Sequence, residues 1–106
     1  MAARVAEAIG LRTGRRPLVT VDNTFLGPFL QTPLMLGADL CLTSLTKYCA
    51  GHSDLLAGGV SGSKALIDRL KQQRTFFGSA LNAHDAWLLL RSFETLHLRT
   101  ERAGQN

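Results

Sequence analysis

Apolar and polar positions fall in blocks along this chain, and the blocks predict a short run of alternating elements. Residues 4–12 have helix-favouring composition, and Gly14 with Pro17 closes that segment. PLVTVDNT (17–24) is apolar and β-branched as far as Asp22, the pattern of a strand buried on both faces that ends in polar residues. In FLGPFLQTPLMLGAD, Gly27 and Pro28 predict a turn, Thr32 caps a short helix with Pro33 at its first position, and Gly37 ends it. A second apolar run, DLCLTSLT (39–46), again turns polar at its end. Strand, helix and strand over about thirty residues make a βαβ unit, whose crossover gives parallel strands with their carboxyl ends on one edge.

The glycine-punctuated GHSDLLAGGVSGS follows, and residues 55–61 within it suit another short strand or an extended loop. Ser63 then caps a helix, SKALIDRLKQQR, with Leu66, Ile67 and Leu70 at helical spacing. A last helix opens at Asn82 with Asp85 in its first turn and continues through Trp87, Leu88, Leu90, Arg91 and Glu94 towards Arg102. The helical pattern is still running at Ala-Gly-Gln-Asn, which reads as an interruption. The fold class is α/β.

A chain of 106 residues has room for a single core. Its 45% apolar and 19% charged residues exclude disordered and fibrous classes. No apolar run is long enough to span a bilayer and the N-terminus lacks a secretory h-region, so no membrane partner and a cytoplasmic location are expected. Cys41 and Cys49 are too few for a disulfide framework and read as reduced thiols; with His52 they lie at spacings that do not suit a metal. The net charge of +4 comes from scattered bases, apart from Arg15-Arg16, interleaved with acids. Without a Walker loop, a GxGxxG turn or an aromatic-basic platform, that charge is a solvated surface and no nucleic-acid partner is expected.

Candidate chemistry sits in CLTSLTKYCAGHSD. Ligands of parallel α/β sheets gather beyond the carboxyl ends of the strands, where Asp22 and Lys47 both fall. In an extended strand Ser44 and Thr46 point to the same face, and two hydroxyls beside a lysine can hold a phosphate. These parts suit a phosphorylated pyridine aldehyde: a Schiff base to Lys47, hydroxyls for the phosphate, and the Asp22 carboxylate to keep the ring nitrogen protonated. Lys47 would need partial desolvation, which the apolar strand before it would help to provide. The plain alternative is an exposed lysine, a turn-forming Asp22 and two satisfied strand hydroxyls, and spacing alone leaves both readings open.

From VDNTFLGPFLQTPLMLGADLCLTSLTKYCAGHSDLLAGG onward, and from about Leu18 to the end, the chain resembles the Cys/Met metabolism family of pyridoxal-phosphate enzymes. The resemblance rests on an acidic residue before an apolar strand, a Ser-x-Thr-Lys-aromatic core and Gly-His-Ser-Asp, matched by Asp39, Ser44, Thr46, Lys47, Tyr48, Gly51, His52, Ser53 and Asp54. WLLLRSFETLHLRTERAGQN (87–106) is similar to the family's long helix. Cys49 stands where a branched aliphatic is commoner, and Leu45 where a small residue is frequent. The resemblance implies the type I, aspartate-aminotransferase-like large domain, a mostly parallel sheet between helices. It further implies pyridoxal 5'-phosphate as cofactor, Lys47 as the internal aldimine and proton shuttle, Asp22 paired with the pyridine nitrogen, Ser44 and Thr46 on the phosphate, and Thr24 near the ring.

The implied activity is elimination or replacement at the β- or γ-carbon of a sulfur amino acid, with a small-molecule substrate and a homotetramer. SLTKY with GHSDLLAGG leans towards γ-lyases. Other family features, namely the glycine-containing phosphate loop, the stacking aromatic, the Tyr and Arg reaching a neighbouring subunit and the carboxylate-binding arginine, have no candidates here. Residues 1–106 therefore read as a middle slice of the cofactor domain, with a catalytically incomplete, self-associating piece as the alternative. His52 is expected to hydrogen-bond locally and place the loop after Lys47. His84 and His97 are expected to be exposed or helix-terminal, Trp87 core or interface, and Lys64 and Lys71, near Asp68, surface charges.

Overall fold

Three strands form one sheet in the order β1-β2-β3: β1 is Thr20–Asp22, β2 is Leu40–Ser44 and β3 is Gly58–Gly62. The computed structural model describes all residues from Met1 to Asn106. β1 and β2 run parallel with Thr20 opposite Leu40 and Asp22 opposite Leu42, as the crossover requires. β2 and β3 run antiparallel with Leu40 opposite Gly62 and Ser44 opposite Gly58, because the loop between them holds no crossover helix. The sheet is therefore mixed. Glycine suits the β3 end: a Cβ on Gly62 would come within 2.7 Å of the Asp39 carbonyl oxygen and of Leu40 Cδ2.

Helices flank the sheet: α1 (Ala2–Thr13), α2 (Gly27–Leu30), α3 (Lys64–Phe77), α4 (Ala83–Phe93) and α5 (Leu96–Gln105). Gly14 closes α1 in the left-handed conformation at φ 72°. Pro33 opens a 3₁₀ turn, Pro33–Leu36, that Gly37 ends at φ 91°. Asn82 caps α4 as expected, its side chain accepting from the Asp85 amide at 2.9 Å. Thr32 and Ser63 stand at the cap positions of their elements without making the side-chain bond.

Two expectations need correction, and that for Trp87, core or interface, is narrowed. The segment 17–24 yields a strand of only three residues, exposed at Thr20 and Asp22, because β2 is the single neighbour of β1 and the sheet stops there. The last helix is two helices, α4 and α5, parted at Glu94 and Thr95, where Thr95 N bonds back to the Ser92 carbonyl at 3.4 Å. Trp87 is 57% exposed and outside the core of this chain, with the Arg91 guanidinium 6.0 Å from its ring centre. His84 and His97 are exposed, and Lys64 forms a surface ion pair with Asp68.

The core joins Cys49, Ala50 and Leu55 to Leu89 of α4 and Leu96 of α5, with Leu45, Ala57 and Leu88 packed around them. The molecule is a plate of 46 × 40 × 18 Å, and the core lies beneath the segment that follows β2. No helix is long and apolar enough to cross a membrane.

Candidate functional site

At the carboxyl ends of β1 and β2 lies a cleft of about 1140 Å³, whose lining includes Asp22, Thr24, Ser44, Thr46, Lys47 and Tyr48. All four predicted site residues, Asp22, Ser44, Thr46 and Lys47, are thus on one cavity, together with Thr24.

Asp22 ends β1 and the chain turns away immediately, the Thr24 amide donating to Asp22 Oδ1 at 2.9 Å. The Thr24 hydroxyl first and the Thr24 amide second hold the Asp22 carboxyl below the usual carboxylate range, outweighing the opposing desolvation. An anionic Asp22 at neutral pH follows. Buried Asn23 secures the turn beneath by donating to the carbonyls of Gly27 at 2.7 Å and Gln31 at 3.0 Å.

Lys47 stands where β2 ends. The strand stops at Ser44 and a π turn, Leu45–Cys49, takes over, broken at Lys47 itself (φ −81°, ψ −116°). The Lys47 carbonyl accepts from the Gly51 amide at 2.7 Å, and the Leu45 carbonyl from the Ala50 amide at 2.8 Å. Cys49 and Ala50 are 5% and 0% exposed, so the turn is anchored in the core directly behind the lysine. Lys47 itself is exposed in this chain, contrary to the expected partial desolvation, because it has already left the strand and faces the open cleft. Burial pushes the Cys49 thiol above its usual range, with the positive charge of Arg99 opposing weakly.

Ser44 and Thr46 share the cleft for a reason other than strand alternation, since Thr46 belongs to the turn. The Thr46 hydroxyl accepts from the Ala57 amide at 2.8 Å and donates to the Ala57 carbonyl at 3.2 Å. Its proton is committed to the entrance of β3. The Ser44 hydroxyl makes no bond within the protein, leaving its donor free towards the cleft. His52 lies in the loop after the turn with Nδ1 2.6 Å from the Ala50 carbonyl, the local contact expected of it.

Two residues that support the site went unread in the sequence. Arg16 donates through Nη1 to both oxygens of Asp39, at 3.0 and 2.8 Å, and through Nε to Glu7 at 2.5 Å. Asp39 also accepts from the Val19 amide at 2.7 Å, so one carboxylate fastens the starts of β1 and β2 together. Its acidity is increased by the Val19 amide and then by the Arg16 guanidinium. The Arg15-Arg16 pair was the available signal. Arg99 is the second, with its guanidinium on the carbonyls of Tyr48, Cys49 and Ser92. No local pattern marks its grip on the lysine turn, because Tyr48 and Cys49 lie about fifty residues upstream.

Comparison with known proteins places this arrangement. The model of the family described as Cys/Met metabolism PLP-dependent enzyme matches residues 4–106, starting earlier than the sequence reading expected. The chain belongs to this family.

Among Cys/Met metabolism relatives, it is 52% identical over 90 residues to L-methionine gamma-lyase of Pseudomonas putida, covering 83% of this chain and 23% of that one. Cystathionine gamma-lyase of Bacillus subtilis (strain 168) is 48% identical over 84% of this chain and 24% of the relative. A crystal structure of cystathionine gamma-lyase from yeast superposes with a TM-score of 0.82 at 39% identity, over 91% of this chain and 25% of that one. The chain thus spans about a quarter of the length of these relatives. The α/β fold and the dependence on pyridoxal phosphate are those of the family, whose enzymes bind small amino-acid substrates.

Proposed function

We propose that residues 1–106 are part of the cofactor-binding large domain of a pyridoxal-phosphate-dependent lyase or transferase acting at the β- or γ-carbon of sulfur amino acids. The observation that carries this reading is the meeting of Asp22 and Lys47 on one cleft at the ends of parallel strands. The donor set fits the cofactor: an ionised carboxylate, a free hydroxyl and a primary amine, which are the partners of a protonated ring nitrogen, a phosphate and an aldehyde.

Asp22 would accept the ring N–H and keep the proton on that nitrogen. Ser44 would donate to the phosphate, joined by Thr46 once its proton turns from the Ala57 carbonyl. Thr24 holds the Asp22 carboxylate in its anionic form from beside the ring site. Lys47 Nζ would hold the cofactor at its aldehyde carbon, and its amine would take and return the proton at the substrate α-carbon. Bound pyridoxal phosphate supplies an electron sink for that carbon. The relatives include lyases and synthases alike, so bond breaking and bond making both stay within this reading. A cytoplasmic homo-oligomer, tetrameric by the family resemblance, completes it.

Adding pyridoxal phosphate to the purified chain and scanning the visible spectrum tests the reading. A band that Lys47→Ala abolishes is expected, and a band that survives the substitution would overturn the assignment. Turnover of cystathionine or methionine then reads the reaction.

A second reading is a piece with no turnover of its own that associates with itself. Only 11 of 106 residues are buried, and Leu11, Phe25, Met35, Leu36, Phe76 and Phe77 are each 70% exposed or more. Sedimentation separates the two: a monomer that binds pyridoxal phosphate excludes the second reading, and a cofactor-free oligomer supports it.

A further inference from the structure

We propose that Arg99 is a positioning residue for Lys47, and that Gly51 provides the room in which its guanidinium lies. The proposal rests on the reading of Lys47 as the cofactor lysine. Two backbone segments end near each other at this point. The π turn ends at Cys49 and leaves the Tyr48 and Cys49 carbonyls without a backbone partner, while α4 ends at Phe93, where the Ser92 carbonyl has only long 3.4 Å bonds from Thr95. Arg99, on α5, fills that gap. Its Nη1 donates to the Tyr48 carbonyl, its Nη2 to the Cys49 carbonyl at 3.0 Å and the Ser92 carbonyl at 2.8 Å, and its Nε to the Thr95 hydroxyl at 3.1 Å.

Tyr48 and Cys49 directly follow Lys47 in the chain. Their carbonyls fix the peptide planes on which the lysine's backbone depends, at the point where the turn departs from helical geometry. The guanidinium therefore ties the lysine turn to the α4–α5 corner, about fifty residues away. A cation is favoured where carbonyl ends of two segments converge, and a planar fork reaches carbonyls in different directions that a compact ammonium cannot serve together.

Gly51 makes the arrangement possible in two ways. It turns the chain at φ 73°, in the left-handed region, and a Cβ there would overlap the Arg99 guanidinium. The glycine that ends the lysine turn and the arginine that clamps it therefore occupy one space.

The test uses Arg99→Ala, Arg99→Lys and Gly51→Ala in the whole chain, with circular dichroism to verify folding and two readouts. The first is hydrogen exchange at the amides of Ala50 and Gly51, which bond to the Leu45 and Lys47 carbonyls. The second is treatment with pyridoxal phosphate, borohydride reduction and peptide mapping, reading the label on Lys47 relative to Lys64 and Lys71, the chain's other lysines. In Arg99→Ala, exchange is expected to rise about tenfold or more. The Lys47 share of label is expected to fall about tenfold, with partial recovery in Arg99→Lys.

A folded Arg99→Ala with both readouts unchanged overturns the proposal. So does faster exchange with the Lys47 share intact, since Arg99 would then hold the turn without placing the amine. If Arg99→Ala does not fold, Arg99→Lys decides through the same readouts, because it keeps the charge and removes the planar fork that spans the carbonyls. If the wild-type chain labels its lysines alike, the cofactor reading fails, and the exchange readout alone supports or overturns the grip of Arg99 on the turn.

Discussion

The Ser44 amide donates to the Thr24 hydroxyl over 2.8 Å, fastening the end of β2 to the residue just beyond β1. Sheet pairing ends at Asp22 and Leu42, so this side-chain bond extends the register by one more link at the mouth of the cleft. Thr24→Val keeps the shape and removes the acceptor, leaving the Ser44 amide without its partner at a cost of about 1–2 kcal/mol. Chemical denaturation should read that loss. Carboxyl NMR should at the same time show the Asp22 pKa rising, because the hydroxyl that favours its ionised form is gone.

Asp39 makes the fold sensitive to acid. Its pKa is depressed on folding by the Val19 amide and Arg16, so the stability it contributes is present above the unfolded value of 3.8 and lost as pH falls through the lower folded one. Asp39→Asn should therefore lower the thermal midpoint at neutral pH, with the difference from wild type closing as pH falls below 3.8 and through the lower folded value. A constant difference down to strong acid would contradict the linkage.

Glycines of β3 should respond in opposite ways to a methyl group. Gly62→Ala drives a Cβ against the Asp39 carbonyl and Leu40, and should cost about 1–3 kcal/mol by parting β2 from β3. Gly58→Ala meets nothing within 4 Å and should be neutral or stabilising by up to about 0.5 kcal/mol. Urea unfolding of the two variants gives the contrast directly.

Cys49 should react slowly with iodoacetamide, and Cys41 faster. Cys49 is buried and its thiolate is disfavoured by burial, whereas Cys41 is only half-buried on β2. The rate at Cys49 should still be climbing at pH values above its ordinary range of about 8.5. Mass spectrometry of the two peptides against time and pH measures both rates, and equal rates would place Cys49 at the surface.

Much of this was legible in the sequence because the signals were local. The apolar runs 17–24 and 39–46 gave the parallel pair, although the second strand stops at Ser44, two residues short of its expected end, and Asn82 with Asp85 gave the start of α4. Lys47 and its hydroxyl neighbours gave the cleft, although Thr46 reached it from a turn where an extended strand was expected. Periodicity failed where tertiary partners decide. An unbroken helical pattern runs through Glu94 and Thr95, and the Ser92 carbonyl that pairs with Arg99 at that corner cannot be seen by counting residues. The antiparallel β3 was equally hidden, since a glycine-rich run suits strand and loop alike.

Lys47 opens on the cleft, and two residues later the same five-residue turn is sealed in the interior against Leu89 and Leu96. Reactivity and folding are thereby written on a single short segment. A search for variants with altered chemistry and a search for variants that melt early should return overlapping positions, including some on α4 and α5 that no ligand touches.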